Sequence, residues 1–241
     1  MPLASPTPTS NGQRCQGPLS TLSCWHNCCD GMTMPRKILI RHSELPYHIY
    51  NRTIDKEFYP LDKTLVWSIY RKALWDLKNR YSIKIYAFVL MSNHYHLIVS
   101  TPKGNIDDVM RDLQSRVSNK FSKIIGLQKY KFSTRYKWSL IGEARHFWSV
   151  FRYVYQNPVR ANMSRTPQSY PWSSYIEYFR DFGARTIVSP LEDLTCLGLN
   201  SGEIDSIVND QIREQELIKI KRGLKRKIYT EPVRLRVRQT G

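Results

Sequence analysis

The sequence predicts an α+β fold: an antiparallel sheet with helices packed on one face, followed by a basic C-terminal extension. Three observations carry that expectation. Short stretches that alternate in the β manner are interleaved with longer stretches of helical period. Two of the strand-like stretches are separated only by Ser92-Asn93, the spacing of a hairpin. No segment repeats, and 241 residues with 41% hydrophobic content are enough for one sizeable core.

The elements follow in order. Pro46-Tyr47-His48-Ile49-Tyr50-Asn51-Arg52 alternates after a proline and reads as the first strand. Asp62 then offers an N-cap to a helix whose apolar residues fall at Val66, Tyr70, Leu74 and Leu77, with Lys and Arg between them. Tyr81 to Met91 is a second strand, and His94 to Ser100 returns as a third. Pro102-Lys103-Gly104 breaks the chain. Asn105 stands where it would cap an amphipathic helix with Ile106, Val109, Met110, Leu113, Val117, Phe121 and Ile124 on one face. Asp107 and Asp108 suit the positive end of that helix.

Phe132 to Ile141 reads as a fourth strand with exposed basic residues. A further helix from Glu143 carries Phe147, Val150, Phe151 and Val154 until Asn157-Pro158 kinks or ends it. Strand, helix, hairpin, helix, strand, helix is the order of a ferredoxin-like sandwich. Tyr170-Pro171-Trp172-Ser173-Ser174 reads as structural: an extended lead-in, a buried Trp, and a serine cap for a helix beginning near Tyr175. Past about residue 180 the periodicity weakens, and the tail from Lys219 is strongly basic.

Charge dominates the composition. Thirty-seven Lys and Arg against 20 Asp and Glu give a formal +17, which favours a polyanionic partner. No apolar run approaches the length of a membrane span, so nucleic acid is the expected partner rather than a membrane. Four of the five cysteines lie in the first thirty residues (Cys15, Cys24, Cys28 and Cys29). They lack the paired C-x-x-C spacings of zinc modules and stand in Pro/Ser/Thr-rich sequence without hydrophobic period. Residues 1–33 are therefore read as a disordered or non-native leader, with Met34 as a plausible start. The remainder is nearly free of cysteine, which suits a reducing cytoplasm.

The chemistry centres on Met91-Ser92-Asn93-His94-Tyr95-His96-Leu97-Ile98-Val99-Ser100. Residues two apart on a strand share a face, so His94 and His96 project together and Tyr95 points away. Neutral imidazoles ligate divalent metals, but an H-x-H alone is more often ordinary strand polarity than a ligand pair. A second group comes from Arg152-Tyr153-Val154-Tyr155-Gln156-Asn157-Pro158. On a helix Tyr153 and Asn157 stack on one face and Tyr155 is turned almost opposite. Presented to two histidines, Tyr153 would be a nucleophile and Asn157 a third ligand. From composition alone the reading of Tyr153 as a packing aromatic would prevail.

The strings PYHIYNR, YAFVLMSNHYHLIVSTPKGN, RYVYQNPVRANM and YPWSSYIEY, in this order and spacing, resemble the single-tyrosine HUH transposases, in particular their REP-associated tyrosine transposase branch. The resemblance spans about residues 34–180, which makes 34–180 the catalytic domain and 181–241 a basic helical or extended tail. Two departures stand out. Tyr95 lies between the histidines where the family has a hydrophobe, and Ser133-Thr134-Arg135-Tyr136-Lys137 replaces a Gln-Gly-Arg-aromatic-Lys strand.

The resemblance implies Tyr153 as the nucleophile and His94, His96 and Asn157 as ligands of Mg²⁺ or Mn²⁺, with no small-molecule cofactor. It implies binding of single-stranded or hairpin DNA, and cleavage and rejoining through a 5′-phosphotyrosine link. It also implies a bacterial, nucleoid-associated location, and leaves monomer and homodimer open. Read from their residue type, Arg135, Lys137 and Arg160 are candidate phosphate contacts or equally a solvated basic face, and Lys221, Arg222, Lys225 and Arg226 in the tail are candidates for non-specific phosphate attraction. A non-catalytic nucleic-acid-binding module is the alternative. Sheets that read RNA carry aromatics on the open face, whereas here that face would carry His94 and His96.

Overall fold

The computed structural model describes residues 38–126, 130, 132, 135–179, 183–190 and 201–230. Residues 1–37, with the four clustered cysteines, and the last basic run beyond residue 230 lie outside these. The described residues build a five-stranded sheet in the order β2-β3-β1-β4-β5. Its strands are β1 (Tyr47–Arg52), β2 (Lys84–Leu90), β3 (His94–Ser100), β4 (Lys137–Ile141) and β5 (Ile228–Tyr229). The central four pair antiparallel, as expected, and the short β5 adds parallel to β4.

Two long helices cover one face: α1 (Lys63–Tyr81) and α2 (Ile106–Ile125). Asp62 caps α1 as predicted, its carboxylate accepting from the Thr64 and Leu65 amides. Asn105 does not repeat this. Its φ of −106° and ψ of 38° lie outside the extended conformation of a capping residue, so α2 starts on the Asn105 carbonyl with no side-chain cap. The core on this face joins Tyr47 and Ile49 of β1, Phe88 and Leu90 of β2, and Tyr95, Leu97 and Val99 of β3 to Val66, Tyr70, Met110 and Phe121. Tyr95 is its centre, 1% exposed and ringed by Tyr70 and Phe88.

The expectation of helices on a single face holds for α1 and α2 and not for α3 (Ala144–Arg160), which packs on the opposite face. The cause is that β2 and β3 are apolar on both sides. Ala87, Val89 and Ile98 face α3, and the bulge between Ile85 and Ala87 turns Tyr86 to that side as well. Two further helices, α4 (Ser201–Asn209) and α5 (Glu214–Gly223), cover the outer side of α3. Arg152 of α3 pairs with Asp210 and Glu216. Gln156 donates to the Val208 and Asp210 carbonyls and accepts from the Ile212 amide. The weak periodicity of the tail thus conceals two helices whose apolar residues are completed by α3.

The segment Tyr170–Ser174 anchors the edge of the sheet in a different way from that expected. The serine at the helix start is Ser173, whose hydroxyl accepts from the Tyr175 amide at 3.2 Å; the Ser174 hydroxyl instead accepts from the Phe88 amide and meets the Tyr155 hydroxyl at 3.0 Å, while Trp172 is only half-buried. The following helix is a short 3-10 turn, Tyr175–Tyr178. His146 is buried against the Tyr229 ring 5.1 Å away, because β5 closes over the start of α3.

Candidate active site

The site is built where β1, β3 and α3 meet. The hairpin turn at Ser92-Asn93 closes with a 2.8 Å bond from the Met91 amide to the His94 carbonyl. Strand alternation then directs His94 and His96 to the α3 face, their ring centroids 5.1 Å apart. The β1–β3 register sets Arg52 opposite His94 and Tyr50 opposite His96. Alternation on β1 therefore adds His48, Tyr50 and Arg52 to the same face. The Tyr50 ring lies 5.6 Å from His94 and 5.5 Å from His96, with the Arg52 guanidinium 5.5 Å above it.

Tyr153 closes the site from above. Its ring meets His96 edge-on at 5.7 Å and His48 at 6.2 Å. Asn157 follows one turn later on the same helix face. Pro158 does not end α3, which runs on to Arg160. A proline lacks the amide that would bond the carbonyl four residues back, here that of Val154. The Asn157 amide nitrogen approaches that carbonyl at 3.5 Å and donates to the Tyr153 carbonyl at 2.9 Å, which leaves its amide oxygen as the outward donor atom.

Tyr155 is disposed oppositely. It is 1% exposed, its hydroxyl donates to the Tyr86 carbonyl, and it packs on Phe151 and Tyr175 in the core beneath α3. Burial raises the hydroxyl pKa of both tyrosines, in Tyr155 far above its ordinary value. In Tyr153 the charges on Arg160 and Arg52 and hydrogen bonding from Asn157 offset part of that rise.

The histidines are held neutral. Burial pushes His48 down to about 3 and, with the charge of Arg52, His94 down to about 4. His96 lies well below its usual value for the same reasons, with His94 and His48 adding to the effect. An unfolded histidine binds its proton near pH 6.5, so between there and about pH 4 the unfolded chain carries more protons than the folded one. Stability should therefore fall as pH drops from 6.5 toward 4. Urea midpoints at pH 7 and pH 4.5 check the sign, and a His94→Leu/His96→Leu double variant should show a flatter dependence.

The tautomer of His94 is also determined. The Asn93 side-chain amide is oriented by its nitrogen donating to the Lys56 carbonyl at 2.5 Å. The Asn93 amide oxygen therefore faces His94 Nδ1 at 2.7 Å, so Nδ1 carries the hydrogen and Nε2 keeps a lone pair. Neutral imidazoles and an amide oxygen are a donor set that fits a divalent metal such as Mn²⁺ or Mg²⁺. Among the described residues no group of three or more His, Cys, Asp and Glu is arranged to hold a metal ion, and Asn157 is the amide donor on the helix face that Tyr153 shares.

The basic residues divide. Lys137 reaches the histidine face, its ammonium 5.8 Å from the Tyr50 ring, and Arg160 is close enough to act on Tyr153. Arg135 is separate from Lys137: it lies over Tyr136 and lines a cleft of about 710 Å³ against α2 with Arg111, Gln114, Tyr130 and Phe132. Lys221 and Arg222 lie in the last turn of α5, and Lys225 and Arg226 just beyond, all exposed. His48, Tyr50 and Arg52 were not singled out from the sequence as site residues. The signal for them was the run of polar side chains on alternate positions of PYHIYNR.

Comparison with known proteins places the chain beside transposases. The family described as "Transposase IS200 like" matches residues 41–157, which contain His48, Tyr50, Arg52, His94, His96, Tyr153 and Asn157 but not Arg160. A solved REP-associated tyrosine transposase bound to a REP hairpin is similar in fold, with a TM-score of 0.51 at 17% identity, covering 76% of this chain and 100% of its own. A candidate transposase from Deinococcus radiodurans R1 matches with a TM-score of 0.35 at 15% identity, covering 53% of this chain and 98% of its own. No curated protein matches the chain. No helix among the described residues is long and apolar enough to cross a membrane. Residues 41–157, just under half of the chain, thus match the IS200-like transposase family.

Proposed function

We propose that this chain is a DNA endonuclease and strand transferase that binds hairpin-bearing single-stranded DNA and cuts it by transesterification through Tyr153. The observation that carries the reading is the contact of the Tyr153 ring with His96 at 5.7 Å, while Tyr155, two residues on, is locked in the core. In the reaction the Tyr153 hydroxyl attacks the scissile phosphate. An aryl oxygen–phosphorus bond forms, the bond to the 3′ oxygen breaks, and the proton lost by the phenol is balanced by the one the 3′ oxygen takes up. The product is a 5′-phosphotyrosine and a free 3′-OH, and a strand's 3′-OH can reverse the step to rejoin DNA.

His94, His96 and Asn157 would hold a divalent metal, which supplies polarisation of the phosphate under attack. His94 and His96 serve by being neutral at working pH. Arg52 and Arg160 favour the phenolate of Tyr153 over what burial alone would allow. Arg160 and Lys137 are suited to the phosphates beside the cut. Arg135, Lys221, Arg222, Lys225 and Arg226 are suited to more distant ones.

Incubation with hairpin-bearing single-stranded DNA and Mn²⁺, followed by denaturing electrophoresis, tests the reading. A covalent protein–DNA species is expected, and chelation before DNA addition should remove it. Tight hairpin binding with no adduct in Mn²⁺ or Mg²⁺ would leave a non-catalytic binding protein instead.

A further inference from the structure

His48 has no part in the reading above, yet it is 5% exposed and stands directly against a proposed ligand. Its Nε2 lies 3.0 Å from Nδ1 of His96, with the ring centroids 5.2 Å apart and the ring planes inclined by only 22°. We infer that His48 is a positioning residue for His96: it accepts the Nδ1 hydrogen of His96 and so holds that ring in the tautomer whose Nε2 is free to bind a metal. The inference rests on the metal-site reading of His94, His96 and Asn157.

The two nitrogens share one hydrogen, so one ring donates and the other accepts. If His48 donated, a neutral His96 would carry its hydrogen on Nε2 and could not ligate through that atom. Ligation through Nε2 therefore requires His96 Nδ1 to donate and His48 to carry its own hydrogen on Nδ1. Burial makes the alternative of a doubly protonated ring costly, since no carboxylate is among the groups acting on either histidine. The β1–β4 register puts Ser139 opposite His48, and its buried hydroxyl has no hydrogen-bond partner. His94 already shows the same device, with Asn93 fixing its Nδ1 hydrogen. Each imidazole would thus have a dedicated neighbour, His94 from the hairpin turn and His96 from the adjoining strand. Metal-bound histidines commonly gain affinity from such a partner, about 10–100-fold when it is removed.

The test is calorimetric titration of the full chain with Mn²⁺, without DNA. His48→Leu, which can neither donate nor accept, should weaken Mn²⁺ binding by about 10–100-fold. His48→Gln, whose amide oxygen can stand near the lost Nε2, should recover most of it. Both should keep the wild-type circular dichroism. In wild type with Mg²⁺, ¹⁵N spectra of the imidazoles should show His96 protonated at Nδ1 and not at Nε2. Wild-type affinity in His48→Leu, or a hydrogen on His96 Nε2, overturns the inference while leaving the metal site standing. Should His48→Leu fail to fold, the ¹⁵N spectrum and the Gln variant still decide. Absence of Mn²⁺ binding by the wild type would instead remove the metal-site reading, and this inference with it.

Discussion

Tyr153→Phe should eliminate the covalent DNA adduct, lowering strand cleavage by at least about 10³-fold, the scale on which removal of a nucleophile acts. Tyr155→Phe should leave the adduct in place. The two side chains differ by two positions on one helix and by nothing in chemistry, so the contrast isolates geometry. Tyr153 meets His96 and His48 edge-on, while the Tyr155 hydroxyl is 3.0 Å from Ser174 Oγ and 3.2 Å from the Tyr86 carbonyl. Removing the Tyr155 hydroxyl costs a buried hydrogen bond, about 1 kcal/mol. The Tyr86 carbonyl still accepts from Tyr178, which limits the loss. Denaturing gels with labelled DNA and a urea melt of each variant separate the two effects. Loss of the adduct in Tyr155→Phe, with folding intact, would reverse the assignment.

Gln156→Leu is expected to be the most destabilising single change on α3 that leaves the histidine face untouched. Gln156 is 4% exposed and satisfies three backbone groups of the segment from α4 to α5: the Val208 and Asp210 carbonyls and the Ile212 amide. Leucine fills a similar volume and satisfies none of them. Buried groups left unpaired cost about 1–3 kcal/mol each, so a loss of about 2–4 kcal/mol is expected after local relaxation. Urea unfolding reads it as a lower midpoint, and proteolysis should cut first between α3 and α5. A change below about 0.5 kcal/mol, the size of an ordinary surface substitution, would mean that apolar contacts alone dock these helices.

These expectations draw on different depths of information. The separation of Tyr153 from Tyr155, and of His94 and His96 from Tyr95, is local. Helical and strand periods turn each side chain by a set angle from its neighbour, so the faces are legible once the element is recognised. The same holds for Asp62 as a cap, and for the hairpin at Ser92-Asn93. Asn105 shows the limit of that approach, because a favourable residue type does not ensure capping dihedrals.

Long-range pairing was not legible. His48 and Arg52 join His96 and His94 only because β1 pairs with β3 in a register where Tyr50 opposes His96. Two strands more than forty residues apart can slide by two residues without changing either alternation pattern, and each slide would bring different side chains to the histidines. The burial of His146 under Tyr229, and the covering of α3 by α4 and α5, depend likewise on surfaces that only the assembled chain supplies.

By itself the sequence determined the α+β order, the basic character, and the faces on which the two histidines, the tyrosine and the asparagine lie. Tertiary structure decided which of those faces meet, that α3 stands opposite α1 and α2, and that His48 is the neighbour of His96. The division has a physical cause. Side-chain direction follows from backbone period within one element, whereas register and packing are chosen by the sum of contacts across the whole core.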